Sequence, residues 1–425
     1  MRLLQQTPAE KIVTYMTRLY KSGLTNMSGG NLSFKAPDGT IWITPAGIDK
    51  GNLTVDDIMY VTPDGRVHGK HKLSSEYPSH IAILRSRPDL HAVLHAHSAA
   101  VVAYSLERKL PRMTLVPGIT ELCGNLSFAK YAVPGSRKLG DLIAAEFSRG
   151  CDTVLLESHG VVLGADSIEK AYMMIEALDL SAKIGIAASM LGKNPHALTN
   201  VELEKKRDHE GFIDTLKPDR DLDRMELVRM CRRCCRQRLF TAGGGAFATR
   251  THDGFLVTPH GEDRVNITED MIVRVKENRC TVGGTPSEFA PLMRGIFSAH
   301  KNIKSIAIAR PPHIMGFAVT GEPFVASNIP ESYVNVRNAN RFPFGTIEDH
   351  TDRIIDSLTP YSPIAIVEND CIIVTGTSPM NVYDRLETLE FTAESLCDIY
   401  SRGGKIAQIS LEEVAELEDR FNLKK

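Results

Sequence analysis

Apolar residues recur with helical spacing over KIVTYMTRLYKSGL, YPSHIAILRSRPD and SIEKAYMMIEALDLSAKIGIAASML, so each predicts an amphipathic or buried helix. Between them lie short β-branched or apolar runs, GTIWITPAGI, HAVLHAHS, DTVLLES and GVVLGA, bounded by turn residues, which predict strands. Strands outnumber what a regular βαβ alternation would supply. The pattern therefore predicts a mostly antiparallel central sheet flanked by helices, an α/β chain built of three-layer α/β/α units.

The pattern occurs twice. KIVTYMTRLYKSGL, SGGN and NLSFKAPDGTIWITPAGID are followed later by ELVRMCRRCCRQRL, AGGGA and FATRTHDGFLVTPHGED. Leu24 falls on Leu239, Gly39 on Gly254 and Thr44-Pro45 on Thr258-Pro259, an offset of about 215. LTVDDIMYV then matches ITEDMIVRV, LHAVLHAHSAAVVAYS matches IKSIAIARPPHIMGFA, and VLLESHGVVLG matches AIVENDCIIVTG, all in the same order. Order kept over so many blocks predicts a tandem duplication, with one domain over residues 1–210 and its copy over 211–425. The seam is placed between about Asn200 and Asp223, where charged and turn residues break the apolar periodicity.

Composition narrows the class. Of the 425 residues 42% are hydrophobic and 24% charged, with a formal net charge of -2. No excess of either sign points to nucleic acid or an anionic membrane. No apolar run reaches membrane-spanning or signal-peptide length, and a cytoplasmic enzyme is expected. The eight cysteines fit reduced thiols. Cys231, Cys234 and Cys235 cluster in CRRCC without a second Cys or His pair, so they read as core thiols of an amphipathic helix rather than a zinc knuckle.

The candidate chemistry begins with His95 and His97. On a strand, residues two apart share a face, so both imidazoles would project together. His159, in the Ser-His-Gly turn between two apolar runs, is a third candidate ligand, and three imidazoles with an open fourth position describe a catalytic Zn2+ or another divalent metal. The copy carries Ile308, Arg310 and Asp370 at the corresponding places, so the fold itself does not require imidazoles there. Glu76 follows Ser74 and Ser75, either of which could cap a helix with Glu76 in its first turn. Beside a metal, that carboxylate could serve as a general base or a displaceable ligand. In the copy Glu288 lies near the place of Glu76. The turn Ser28-Gly29-Gly30-Asn31 could present backbone N–H groups to a phosphate or carboxylate.

Taken together, SGGNLS, ITPAGI, KLSSE, HAHS and ESHG resemble, in order and spacing, the class II aldolase and adducin superfamily, which includes fuculose-phosphate aldolase and sugar-acid phosphate decarboxylases. The resemblance implies a class II aldolase-like fold in both halves, the second degenerate. It implies zinc on His95, His97 and His159, Glu76 as catalytic acid/base, and Gly30, Asn31, Gly47, Ser74 and Ser75 around a substrate phosphate. Ala46 stands where fuculose-type aldolases carry a threonine, and Leu115 near where they carry a tyrosine. The implied reaction is zinc-dependent lyase chemistry, cleavage of a ketose or ketose phosphate through an enediolate. Decarboxylation of a keto sugar-acid phosphate would use the same residues, and an adducin-like scaffold without catalysis is the alternative of another class. The family's ring assemblies imply a homo-oligomer, a pseudo-four-fold dimer or larger, acting on a small-molecule sugar.

Overall fold

The computed structural model describes residues 6–205, 211–217, 224–407 and 409–423. The chain packs as two compact units, one of Met1–Met113 with Gly118–Ala182, the other of Thr114–Pro117 with Lys183–Lys425.

In the first unit, helix α1 (Pro8–Lys21) starts where its sequence supplies a complete cap. Thr7 Oγ1 accepts the Glu10 N–H, the Glu10 carboxylate accepts the Thr7 N–H, and Pro8 occupies the first turn. Its buried face is Ala9, Ile12, Tyr15, Met16 and Leu19, the spacing of one helical stripe. The sheet contains β1 (Asn31–Lys35), β2 (Ile41–Ile43), β3 (Met59–Val61), β4 (Val67–His68), β5 (Ala92–Ala96), β6 (Leu126–Ala129), β7 (Thr153–Leu156) and β8 (Val161–Ala165). Their spatial order is β4-β3-β2-β1-β5-β8-β7-β6, antiparallel throughout except for the β6/β7 pair. One face is covered by α2 (Tyr77–Ser86) and α5 (Arg137–Ser148). Ile83 and Leu84 of α2 and Leu139, Ile143 and Phe147 of α5 form one apolar core with Val93, Val154, Leu156 and Val162 of the sheet. Val93 and His95 lie two apart on β5 and share this α2-facing side, as do Asn31 and Ser33, their partners on β1.

The second unit repeats the arrangement. Its strands are β9 (Ile213–Leu216), β10 (Ala246–Arg250), β11 (Phe255–Val257), β12 (Val273–Lys276), β13 (Arg279–Thr281), β14 (Ser305–Ala309), β15 (Ala339–Phe342), β16 (Ile364–Val367) and β17 (Cys371–Gly376), in the order β15-β16-β17-β14-β10-β11-β12-β13-β9. Apart from β9 this is the first sheet strand for strand, including the one parallel pair at its end, β15/β16. β9 comes from the stretch read as a seam. It adds in parallel to β13 with Ile213 exposed, so that stretch is partly ordered as an edge strand. Cys231 and Cys234 lie on the buried face of helix α8 (Met225–Arg236), which also carries Leu227, Val228 and Met230, and all eight cysteines are free thiols. No helix among the described residues is long and apolar enough to cross a membrane.

Candidate active site

Three imidazoles converge in the first unit. His95 lies on β5, and its partner His97 sits one residue beyond the strand end rather than within it. The His97 N–H leaves the sheet ladder to bond Leu24 O (3.1 Å), yet the two rings still meet, with centroids 4.5 Å apart and Nε2 atoms 2.9 Å apart. His159 enters from the turn between β7 and β8, where Ser158 takes a left-handed backbone (φ 55°) and the His159 N–H closes onto Leu156 O. Its ring centroid lies 4.8 Å from that of His95 and 5.0 Å from that of His97. One ligand atom from each of the three falls within 4.8 Å of the others.

The ring environments suit a cation. His95 Nδ1 lies 3.0 Å from Val161 O, and a carbonyl can only accept, so Nδ1 carries the proton and Nε2 presents its lone pair inward. Burial pushes His97 down to about 3, and burial followed by the charge of His95 pushes His159 below the ordinary imidazole value. Rings held neutral at physiological pH are the ligand form for a divalent metal. The His97 ring is slotted between two glycines. A Cβ on Gly29 would fall against His97 Nδ1, and one on Gly160 would lie 2.5 Å from both His97 Cδ2 and the Ala96 carbonyl oxygen.

Glu76 stands beside the triad, its Oε2 3.5 Å from His95 Nε2. It occupies the residue before α2 rather than the first turn, and the Glu76 N–H bonds Ser74 Oγ (3.3 Å). The carboxylate is thereby left to the site instead of the helix end, and Asn31 Nδ2 donates to it at 2.7 Å. Burial alone would raise the Glu76 carboxyl, but electrostatic attraction to the neighbouring His95 ring and the Asn31 hydrogen bond outweigh it and hold the group below its ordinary value. Behind Asn31 stands a residue that the sequence reading did not single out. His80 of α2 is fully buried, its Nε2 in a short hydrogen bond with Asn31 Oδ1 and its Nδ1 2.7 Å from Ser33 Oγ. The available signals were polar Asn31 and Ser33 alternating with Leu32 and Phe34 along the strand, and a histidine one helical turn after Glu76.

The remaining predicted residues are placed as follows. Gly30 is buried with φ +70°, and a Cβ there would meet the His95 carbonyl oxygen and Thr25 Oγ1. The Thr44–Gly47 turn is tied to the segment before α2, with Pro45 bridged to Leu73 and the Ala46 N–H bonded to Lys72 O. The bridge is antiparallel and sets Thr44 opposite buried Ser74, while Gly47 and Ser75 are both exposed. Leu115 is fully buried, and its carbonyl accepts from Asn369 Nδ2 (2.9 Å).

Strand register settles what the copy carries at each place. Ile308 pairs with Ala246 as His95 pairs with Asn31, and Arg310 and Asp370 stand where His97 and His159 do. The Arg310 guanidinium bonds Asp370 through Nε to its carbonyl (2.6 Å) and through Nη2 to Oδ1 (3.3 Å). Glu288 is not the counterpart of Glu76. Pro286 bridges Pro259 as Leu73 bridges Pro45, and the Phe289 N–H bonds Ser287 Oγ as Glu76 bonds Ser74, so Phe289 holds the carboxylate's position and Glu288 that of Ser75.

A family model described as the class II aldolase and adducin N-terminal domain matches the chain twice, over residues 10–186 and 225–397. Among curated proteins, 5-deoxy-D-ribulose 1-phosphate aldolase of Bacillus thuringiensis serovar kurstaki is 32% identical over 216 residues, covering 49% of this chain and 99% of that protein. A 3-oxo-tetronate 4-phosphate decarboxylase of Escherichia coli O6:H1 is 30% identical over 185 residues, 43% of this chain and 87% of the relative. A solved structure of L-fuculose 1-phosphate aldolase is 29% identical, covers 46% of this chain and 92% of its own, and superposes with a TM-score of 0.42.

Proposed function

The chain belongs to the class II aldolase and adducin family, with two copies of its fold in tandem, and from that membership we propose that it is a zinc-dependent aldolase cleaving a ketose 1-phosphate or related ketose. The observation that carries the reading is the meeting of His95, His97 and His159 in one cluster with the Glu76 carboxylate 3.5 Å from His95. We take residues 1–210 as the active copy and 211–425 as its degenerate partner.

His95, His97 and His159 would hold the metal, each through a neutral ring nitrogen, leaving room for substrate oxygens. Bound there, a divalent ion would supply Lewis-acid polarisation of the substrate carbonyl. The chain's own residues do the rest. Glu76, ionised at neutral pH, accepts the proton released by the substrate hydroxyl as the carbon–carbon bond breaks and returns it to the enediolate carbon. Gly30, Asn31, Gly47, Ser74 and Ser75 would surround the phosphate, with exposed Gly47 and Ser75 the first donors met by an entering anion. The relatives named for sugar phosphates favour a phosphorylated substrate. Decarboxylation of a keto sugar-acid phosphate is a second reading, because a relative of 30% identity carries that name and loss of CO2 leaves the same enediolate.

The test is a panel of ketose 1-phosphates, free ketoses and keto sugar-acid phosphates, run with and without chelator and with Glu76→Gln. Turnover that chelator abolishes, and that Glu76→Gln lowers by about 100-fold or more while metal stays bound, supports the reading. Release of CO2 instead of an aldehyde selects the decarboxylase. Absence of chelator-sensitive turnover on every member leaves a binding or scaffold protein.

A further inference from the structure

Four polar side chains form a single line beneath the metal triad: Ser33, His80, Asn31 and Glu76. Its direction follows from the chemistry of its last member. An ionised carboxylate only accepts, so Asn31 must turn its NH2 toward Glu76 and its carbonyl oxygen toward His80. His80 must then donate from Nε2, which leaves Nδ1 as the acceptor for the Ser33 hydroxyl. Every donor in the line therefore points toward Glu76, an arrangement in which each bond polarises the next.

The second unit supplies the control. By strand register and by the shared hydrogen bonds before the helix, Ser33, Asn31, Glu76 and His80 correspond to Ala248, Ala246, Phe289 and Met293. All four replacements are apolar and lie together in one hydrophobic core with Ile308, the counterpart of His95. The fold thus packs without any of the polar groups, and the two members remote from the triad, His80 and Ser33, are absent along with the ligands. Buried polar groups of this kind contribute little net stability over well-packed apolar ones. Their presence in the first unit alone is accounted for by what they do to Glu76.

We propose that His80, locked by Ser33, is a positioning residue that fixes the orientation of Asn31 and through it the carboxylate of Glu76. This rests on the reading of Glu76 as the proton-transfer group. His80 touches neither substrate nor metal in this account. It removes the freedom of the Asn31 amide to flip, so that an N–H rather than a carbonyl oxygen always faces the carboxylate.

The test has two arms. In the first, His80→Met, the residue that the second unit accommodates at this place, is compared with wild type and with His80→Gln, which keeps a donor toward Asn31. The expected result is a kcat lowered by about 10- to 100-fold, as for other loss of outer hydrogen-bond partners. Bound metal per chain and KM should stay unchanged, and His80→Gln should recover most of the loss. A kcat within twofold of wild type for His80→Met, or an equal fall in metal content, overturns the proposal. The second arm needs no turnover. In 15N-histidine-labelled protein, the resonance missing from His80→Met should report a neutral ring protonated at Nε2. Protonation at Nδ1 overturns the proposal. If the wild type acts on no substrate, the proposed function fails while this second arm still decides the relay.

Discussion

The His97 ring lies between Gly29 and Gly160, so the smallest perturbation of the site is a single methyl group: Gly160→Ala. The added Cβ would stand 2.5 Å from the Ala96 carbonyl oxygen and 2.5 Å from His97 Cδ2, where ordinary contact requires 3.4–4 Å. The shortfall is thus about 1 Å. One clash is with strand backbone and the other with a ring atom, so the end of β5 or the β7–β8 turn must shift and the imidazole must move as well. Metal geometry tolerates about 0.5 Å of ligand displacement. Overpacking of this size costs about 1–3 kcal/mol, or about 5- to 150-fold if it falls wholly on metal affinity. Gly160 has an ordinary negative φ, so no backbone strain confuses the result. The copy has Cys371 at this place, opposite no imidazole, so the hairpin itself accepts a side chain there. The measurement is competition between the protein and a chelator of known zinc affinity, paired with denaturant unfolding of the metal-free chain. We expect affinity to fall by about tenfold or more, with the metal-free chain losing about 1 kcal/mol. Affinity within twofold of wild type would refute the argument that the glycine is there for the ring.

Two further outcomes follow from buried charge. Burial pushes His80 down to about 4, against about 6.5 in an unfolded chain, so below pH 6.5 the unfolded state takes up a proton that the folded state does not. Metal-free protein should therefore lose up to about 3 kcal/mol as pH falls from about 6.5 to about 4, with nothing lost above that window. His80→Met should flatten this part of the slope, and equal slopes in denaturant titrations at pH 7, 6 and 5 would contradict the assignment. In the second unit, Arg310→Ala takes the guanidinium from a fully buried Asp370 and should destabilise by about 3 kcal/mol, with most of the loss recovered on adding Asp370→Asn. A negligible effect of Arg310→Ala alone would show that the pair does not compensate that carboxylate.

Much of this was legible in the sequence, for identifiable reasons. Strand periodicity put His95 and His97 on one side, and the repeat showed that the fold does not require them. The strand nonetheless ends at Ala96, and the meeting of the rings depends on the His97 N–H turning to Leu24 O, a contact no local pattern encodes. Matching Glu288 to Glu76 followed chemical likeness. The backbone follows the serine instead, since Ser74 and Ser287 each take the N–H two residues on, and this moves the register by one. His80 escaped notice because a lone histidine on a helix looks like any other polar position. Only long-range pairing with Asn31 and Ser33 gives it a role.

The bend that presents His159 occurs in both units. Ser158 and Asn369 hold the same left-handed backbone, φ 55° and 54°, one residue before His159 and Asp370. A serine in that conformation costs about 1 kcal/mol, whereas asparagine adopts it more readily, and Asn369 is further secured by bonds to Leu115 O and His196 O. The second unit thus holds the same bend as the one that presents His159, and holds it more firmly. A designer restoring a metal centre there would begin with the bend already made, and would need to change the side chains it carries.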